Sequence, residues 1–136
     1  MEYPDYTQGS DQSYHEMLGY KVVEWEEGRV RLEMDVRDRH RNNFGDYTHG
    51  GILMGLLDIS ALLSGIHDKR GTVDVLTLSL TTNFIAAPHS ERVAAEGELI
   101  HIGRSTFFAR SKVMDIASGQ LLATGDGVFR IRAKKT

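Results

Sequence analysis

His49-Gly50-Gly51, with Asp58 nine residues after the histidine, is the spacing in this chain best suited to chemistry. The glycine pair stands where a polar stretch gives way to the longest apolar run of the sequence, from Ile52 through Leu63 to Ile66. Apolar residues in that run fall on every side of a helical wheel, the mark of a helix buried all round. Asp58, Ser60 and Ser64 interrupt it too often for the roughly 20 apolar residues of a membrane span. The pattern therefore predicts a core helix over residues 50–67 whose polar N-terminus opens toward a site. The first turn of a helix has N–H groups without intrahelical partners and a partial positive charge. Bare of side chains, Gly50 and Gly51 let a ligand oxygen come close, which suits an anion or a developing oxyanion. Asp58 is the only ionisable side chain between His49 and His67. A carboxylate so placed is costly unless it is paired or used.

Asp58 lies seven residues past Gly51, on the same side of the helix but roughly 10 Å along its axis. One substrate carbonyl cannot touch both. If the two act together, a second copy supplies one of them, and a two-fold dimer with central helices side by side is expected.

The totals narrow the partners. The 136 residues suffice for one domain with a real core and hardly for two. A formal net charge of −3 lacks the basic footprint of a nucleic-acid binder. With no cysteine there is no disulfide, thiolate nucleophile or Cys-based zinc site. His15, His40, His67, His89 and His101 show no ligand spacing, so no metal and no cofactor are expected. No charged-then-apolar signal pattern opens the chain, which makes a cytoplasmic protein the expectation.

The elements that must position the site follow from periodicity. Residues 1–14 are polar and turn-rich and are expected to form a flexible arm before a single domain over 15–136. Ser13 followed by Glu16 can box the start of a short helix that Gly19 closes. Residues 20–25 are strand-like, and 29–36 alternate cleanly, Val30, Leu32, Met34 and Val36 against Arg29, Arg31, Glu33 and Asp35. A polar loop over 37–48 leads to the central helix. Residues 75–85 read as a long strand with Leu76, Leu78 and Leu80 on one face, Thr77, Ser79 and Thr81 on the other, and a bulge near Thr82-Asn83. Strands are expected over 92–101, 105–116 and 120–132. In the last, Leu121, Ala123, Gly125, Gly127, Phe129 and Ile131 share a face whose small members leave room for the central helix. The basic end, Arg130, Arg132, Lys134 and Lys135, reads as solvated. One long helix among five or six antiparallel strands is an α+β arrangement, the sheet curled round the helix.

Asn43, five residues, His49-Gly50-Gly51 and then Asp58 resemble the hotdog-fold thioesterases of the phenylacetic-acid-degradation-protein (PaaI-like) type. Thr77-Leu78-Ser79-Leu80, Asn83-Phe84, Pro88, Gly103-Arg104-Ser105 and the segment from Gly119 to Gly125 add to the resemblance, which spans roughly residues 15 to 132. It implies a hotdog fold, edge-to-edge homodimers often paired into homotetramers, and hydrolysis of an aryl- or medium-to-long-chain acyl-CoA. It also implies roles: the Gly50 N–H polarising the thioester carbonyl, Asp58 of the partner protomer as base or nucleophile, and Asn43 and His49 shaping the site. Thr77 would orient the water. Gly51 would border the substrate, and His101, Gly103, Arg104, Ser105 and Thr106 would lie along the CoA arm. The strand before Pro88 is one residue longer than the family pattern.

Two other functions fit the same fold. A non-catalytic acyl-CoA-binding regulator would keep the pocket and need no base; Asp58 and the lack of appended DNA-binding helices favour the enzyme. A hotdog hydratase or dehydratase needs a His paired with an acid across the pocket, and the His49-Gly50-Gly51…Asp58 order speaks against it.

Overall fold

The computed structural model describes residues 3–7 and 13–134. The remainder of the expected arm and Lys135 of the basic end lie outside the described residues. Within the arm, Tyr3 and Tyr6 pack against the core, Tyr6 meeting Trp25 edge-on at 6.4 Å between ring centroids.

Helix α1 (Tyr14–Leu18) starts where the Ser13 hydroxyl accepts the Glu16 N–H at 3.0 Å, and it ends at Gly19 with φ 74°, a left-handed conformation that suits glycine. Strands β1 (Lys21–Glu26) and β2 (Arg29–Asp35) form a hairpin. Helix α2 (Gly50–Ser64) follows the polar loop, then β3 (Val73–Phe84), β4 (Arg92–Ile102), β5 (Thr106–Asp115) and β6 (Leu121–Ala133). All pairings are antiparallel, in the order β1-β2-β4-β5-β6-β3. The chain thus crosses from β2 to the far edge of the sheet through α2, and the sheet curls so that α2 packs against β2 through β6. This is the α+β hotdog arrangement that the resemblance implied.

Two glycines let helix and sheet approach. At Gly97 a Cβ would run into the Ser60 carbonyl, and at Gly125 it would stand 3.3 Å from Leu57 Cβ. The second is the room that the small residues of β6 promised. Phe107 and Phe129 stack at 5.0 Å in the core beside it.

The structure corrects two expectations about α2. It ends at Ser64 rather than 67: the Gly65 N–H turns back to the Leu62 carbonyl at 3.2 Å, and Trp25 Nε1 donates to the Leu63 carbonyl at 3.0 Å. The helix is also not covered on every side. A line through Gly50, Gly51, Met54, Asp58 and Leu62 is left open by the protomer, because these residues recur every three or four positions on one face.

The face expected to be shared by Leu76, Leu78 and Leu80 is split in β3. Thr77 pairs with Phe129 and Ser79 with Val128, so the extra residue is Leu78 and the bulge lies there, not at Thr82-Asn83. Val73, Val75 and Thr77 face inward before it, while Leu76 and Leu78 are 63% and 51% exposed. A one-residue slip moves a whole face, and the charged residue that marks the outer face, Asp74, precedes the stretch where Leu and Thr alternate.

The outer face of the other strands is a charge lattice. Glu26, Arg29, Glu98, Arg110 and Asp126 are consecutive cross-strand neighbours, as are Glu24, Arg31, Glu96 and Lys112. Arg31 meets Glu96 at 3.2 Å and Arg110 meets Asp126 at 3.2 Å. Such exposed pairs contribute only about 0.2–1 kcal/mol each, but they keep that face in water.

The loop before α2 is held by His40, which is fully buried. Its Nδ1 accepts the Arg37 N–H at 2.9 Å, so the proton sits on Nε2 and is donated to the Met17 carbonyl at 2.9 Å. His40 thereby ties α1 to the loop, and its carbonyl accepts the His49 N–H at 2.8 Å. Burial, with Arg39 and Arg37 adding to it, holds the His40 pKa below its usual 6.5. A depressed histidine pKa stabilises the fold above the unfolded value, and that contribution is lost as pH falls. Melting temperature is therefore expected to be level above about pH 6.5 and to fall below it; a flat profile from pH 7 to pH 5 by calorimetry would contradict the assignment.

Candidate active site

The first turn of α2 is nearly used up by its own cap. His49, at φ −60° and ψ 137°, is the N-cap, and its Nδ1 accepts the Gly51 N–H at 2.9 Å. Ile52 and Leu53 N–H groups both turn to the His49 carbonyl, at 3.0 and 3.2 Å. Among the described residues no acceptor meets the Gly50 N–H. The pair of donors expected at Gly50-Gly51 is thus one donor, Gly50; Gly51 is committed to His49 and keeps only its lack of a side chain. Because Nδ1 is the acceptor, a neutral His49 carries its proton on Nε2, leaving a second donor beside the first.

Asp58 is half-buried, two turns further along the open line. Its Oδ1 accepts from the Thr77 hydroxyl at 2.8 Å. The bulge at Leu78 is what turns Thr77 inward to make that bond. Burial raises the Asp58 pKa above the ordinary 3.8, while the Thr77 bond, which favours the charged form, pulls the other way. A carboxylate moved toward neutrality is suited to taking a proton.

Two aromatic side chains border this line that sequence reasoning did not assign to the site. Phe84 of β3 lies over Gly50, its Cε1 3.3 Å from where a Cβ would stand. Tyr14 of α1 covers Gly55, where a Cβ would collide with the phenol. The signal for the second was Gly55 itself, a glycine in mid-helix with no turn to explain it.

The other expected residues are not gathered here within one protomer. Asn43 is exposed in the loop before α2, and its side chain makes no hydrogen bond among the described residues. His101 lies near the end of β4, Gly103, Arg104 and Ser105 form the β4–β5 turn, closed by the Gly103 N–H on the Thr106 carbonyl at 2.8 Å, and Thr106 opens β5. The next residue, Phe107, packs against Gly65. The turn therefore sits at the C-terminal end of α2, roughly 22 Å of helix from Gly50. A cleft of about 590 Å³ lined by Trp25, Arg29, Arg31, Glu96 and Arg110 includes none of the Asp58 cluster. Its charges already face one another in the lattice described above.

Residues 45–121 match the family model described as Thioesterase superfamily. The chain is 29% identical over 100 residues to a 1,4-dihydroxy-2-naphthoyl-CoA hydrolase of Listeria monocytogenes, covering 74% of this chain and 80% of that protein. A mutant of a thioesterase enzyme from Staphylococcus aureus superposes with TM-score 0.78 at 29% identity, over 86% of this chain and 96% of that one. Zebra fish thioesterase superfamily member 2 shares the fold, with TM-score 0.81 at 22% identity over 91% and 89% of the two chains.

Proposed function

The chain belongs to the thioesterase superfamily, and on that premise we propose that it hydrolyses an aryl- or medium-to-long-chain acyl-CoA to the free acid and CoA in a site completed by a second copy of itself. The observation that carries this reading is the open line of α2. It presents one unpartnered N–H at Gly50 and one carboxylate of raised pKa at Asp58, about 12 Å apart by helical rise.

Gly50, Met54 and Asp58 recur at intervals of four on that line. A two-fold axis beside Met54 would set Gly50 of each protomer opposite Asp58 of its partner and build both sites at once. Met54 is 38% exposed, and Thr77 and Phe84 place the open line on the β3 side of the helix. Strand β3 is a free edge of 12 residues carrying exposed Leu76, Leu78 and Phe84, whereas β1, the other edge, has 6 residues, of which Lys21, Glu24 and Glu26 are charged. Long apolar edges are the ones that pair. The same axis would bring the β4–β5 turn of one protomer toward the Gly50 end of the other, where a CoA arm would pass. Since the chain has no cysteine, Met54→Cys tests this alone: oxidised protein is expected to run as a disulfide-linked dimer on a non-reducing gel, and only monomer would contradict the axis.

In the reaction, Asp58 takes a proton from water as the water oxygen attacks the thioester carbon. The carbonyl electrons move to oxygen, which the partner's N–H at the helix opening holds. The C–S bond then breaks and its electron pair leaves with the CoA sulfur. A thiolate leaves readily, so the His49 Nε2–H and the Asn43 amide need only steady sulfur, water or carbonyl. A free-thiol assay over an acyl-CoA panel tests the activity: release from at least one member supports it, and binding without release contradicts it.

Thr77 gives this reading a pH signature. The acid limb of kcat/KM is expected to follow Asp58 and to lie above the ordinary aspartate range. Thr77→Val removes the bond that favours the carboxylate, so the limb is expected to move to higher pH. An unmoved limb would detach Asp58 from proton transfer.

A further inference from the structure

The loop that carries Asn43 is built from within and pinned from without at one residue. Residues 41–48 close into a hairpin-like loop. Arg41 and Thr48 form an isolated antiparallel bridge, and the Asn42 N–H donates to the Tyr47 carbonyl at 2.8 Å. At the tip, Asn42 Oδ1 accepts the Phe44 N–H at 2.8 Å, and the Tyr47 ring lies where a Cβ on Gly45 would stand. Phe44 is 95% exposed and Asn43 also faces solvent, so neither anchors the tip. Asp46 does. Its carbonyl oxygen and its Oδ2 lie 3.0 and 2.9 Å from Nδ1 of His89. Both oxygens can only accept, so Nδ1 carries the proton and shares it between them. Arg41 Nη1 reaches the same carbonyl at 3.5 Å from inside the loop. Among the described residues, His89 makes the only hydrogen bond or ion pair that ties residues 42–47 to anything beyond the loop.

His89 stands on a fixed support. It follows Pro88, whose ring sets the backbone φ, in the connection from β3 to β4. That connection is held at both ends. The Ile85 N–H donates to the Leu122 carbonyl at 2.8 Å, and the Glu91 carbonyl accepts the Val36 N–H at 2.8 Å. The connection begins just after Phe84, the ring over Gly50. His89 thus ties the loop that leads into the helix opening to the strand end that lies over it. We propose that His89 is a positioning residue: its Nδ1–H, through Asp46, holds the loop in the arrangement from which the Asn43 amide serves the site. His89 itself touches neither thioester nor water. This rests on the thioesterase reading and adds to it the group that sets where Asn43 stands.

The chemistry of the bond supplies the test. Asparagine carries an N–H donor where histidine has Nδ1, and glutamine carries one where histidine has Nε2. His89→Asn therefore rebuilds the bond to Asp46, while His89→Gln and His89→Ala do not. With an acyl-CoA that wild type cleaves, His89→Gln and His89→Ala are each expected to lower kcat about five-fold with KM within about two-fold, the effect of one hydrogen bond. His89→Asn is expected to stay within about two-fold of wild type. In an Asn43→Ala background, His89→Ala is expected to cost less than about two-fold more, because the two act through one group. Equal losses in all three variants, a loss carried by KM, an undiminished loss in the Asn43→Ala background, or no loss at all would each overturn the proposal. Hydrogen exchange keeps the two readings apart, since it needs no turnover. The amides of Asn42 and Phe44 are expected to exchange about five-fold faster in His89→Gln and His89→Ala than in wild type or His89→Asn. If no acyl-CoA is cleaved and that pattern holds, the hydrolase reading fails and the pin stands. If the loop exchanges alike in all four proteins, the pin fails whatever the turnover.

Discussion

Replacing Gly50 by proline is expected to lower kcat by about 10²–10³-fold, the usual effect of deleting one oxyanion donor. The change removes one hydrogen and leaves the helix intact. Proline is favoured at the first helical position, where the N–H has no intrahelical partner in any case. It also requires an extended residue before it, and His49 already has ψ 137°. The ring would press on Phe84, whose nearest atom stands 3.3 Å from the Cβ position, but that is the free end of an exposed side chain. Gly50→Ala is the control, because it crowds Phe84 equally and keeps the N–H. Near-wild-type kcat in Gly50→Ala beside a collapsed Gly50→Pro would locate the effect in the hydrogen. Equal loss in both would locate it in the crowding and remove Gly50 as a donor.

Asp58→Asn is expected to cost about 10²–10⁴ in kcat, as the loss of a general base does, with KM nearly unchanged. Asparagine has the same shape and can still accept the Thr77 hydroxyl, so geometry is preserved and only proton uptake is lost. The same variant is expected to melt at a higher temperature at neutral pH. An aspartate whose pKa is raised on folding destabilises the fold at any pH where the unfolded chain is ionised. Asparagine has no charge to bury. A gain in stability together with a loss of turnover marks a residue kept for function. A variant with wild-type turnover would show Asp58 to be merely structural.

Much of this site was legible in the sequence because local rules govern it. The break from polar loop to apolar run marks the start of α2, and the clean alternation of Val30, Leu32 and Met34 gives the inner face of β2. The Ser13–Glu16 spacing marks α1. Three things resisted. Leu and Thr alternate along β3 without saying which faces in, and the side chain that settles it, Asp58, is 19 residues from Thr77. The open line on α2 was hidden for another reason. Apolar residues all round a helix predict cover all round, but they do not say whether one molecule or two provides it. Tyr14 lies 41 residues from Gly55 along the chain, and no periodicity links them; only packing brings the phenol over the glycine.

The composite site makes the Gly50→Pro and Asp58→Asn variants complementary. In a heterodimer of the two, one site has lost both groups and the other retains Gly50 from one protomer and Asp58 from its partner. Differently tagged variants can be coexpressed and the mixed dimer isolated through both tags. Its thiol release is expected to return to about half the wild-type rate, since one of two symmetric sites is whole, while each parent homodimer stays inactive. A mixed dimer as inactive as its parents would mean that each protomer uses its own Gly50 with its own Asp58, and the shared site would be wrong.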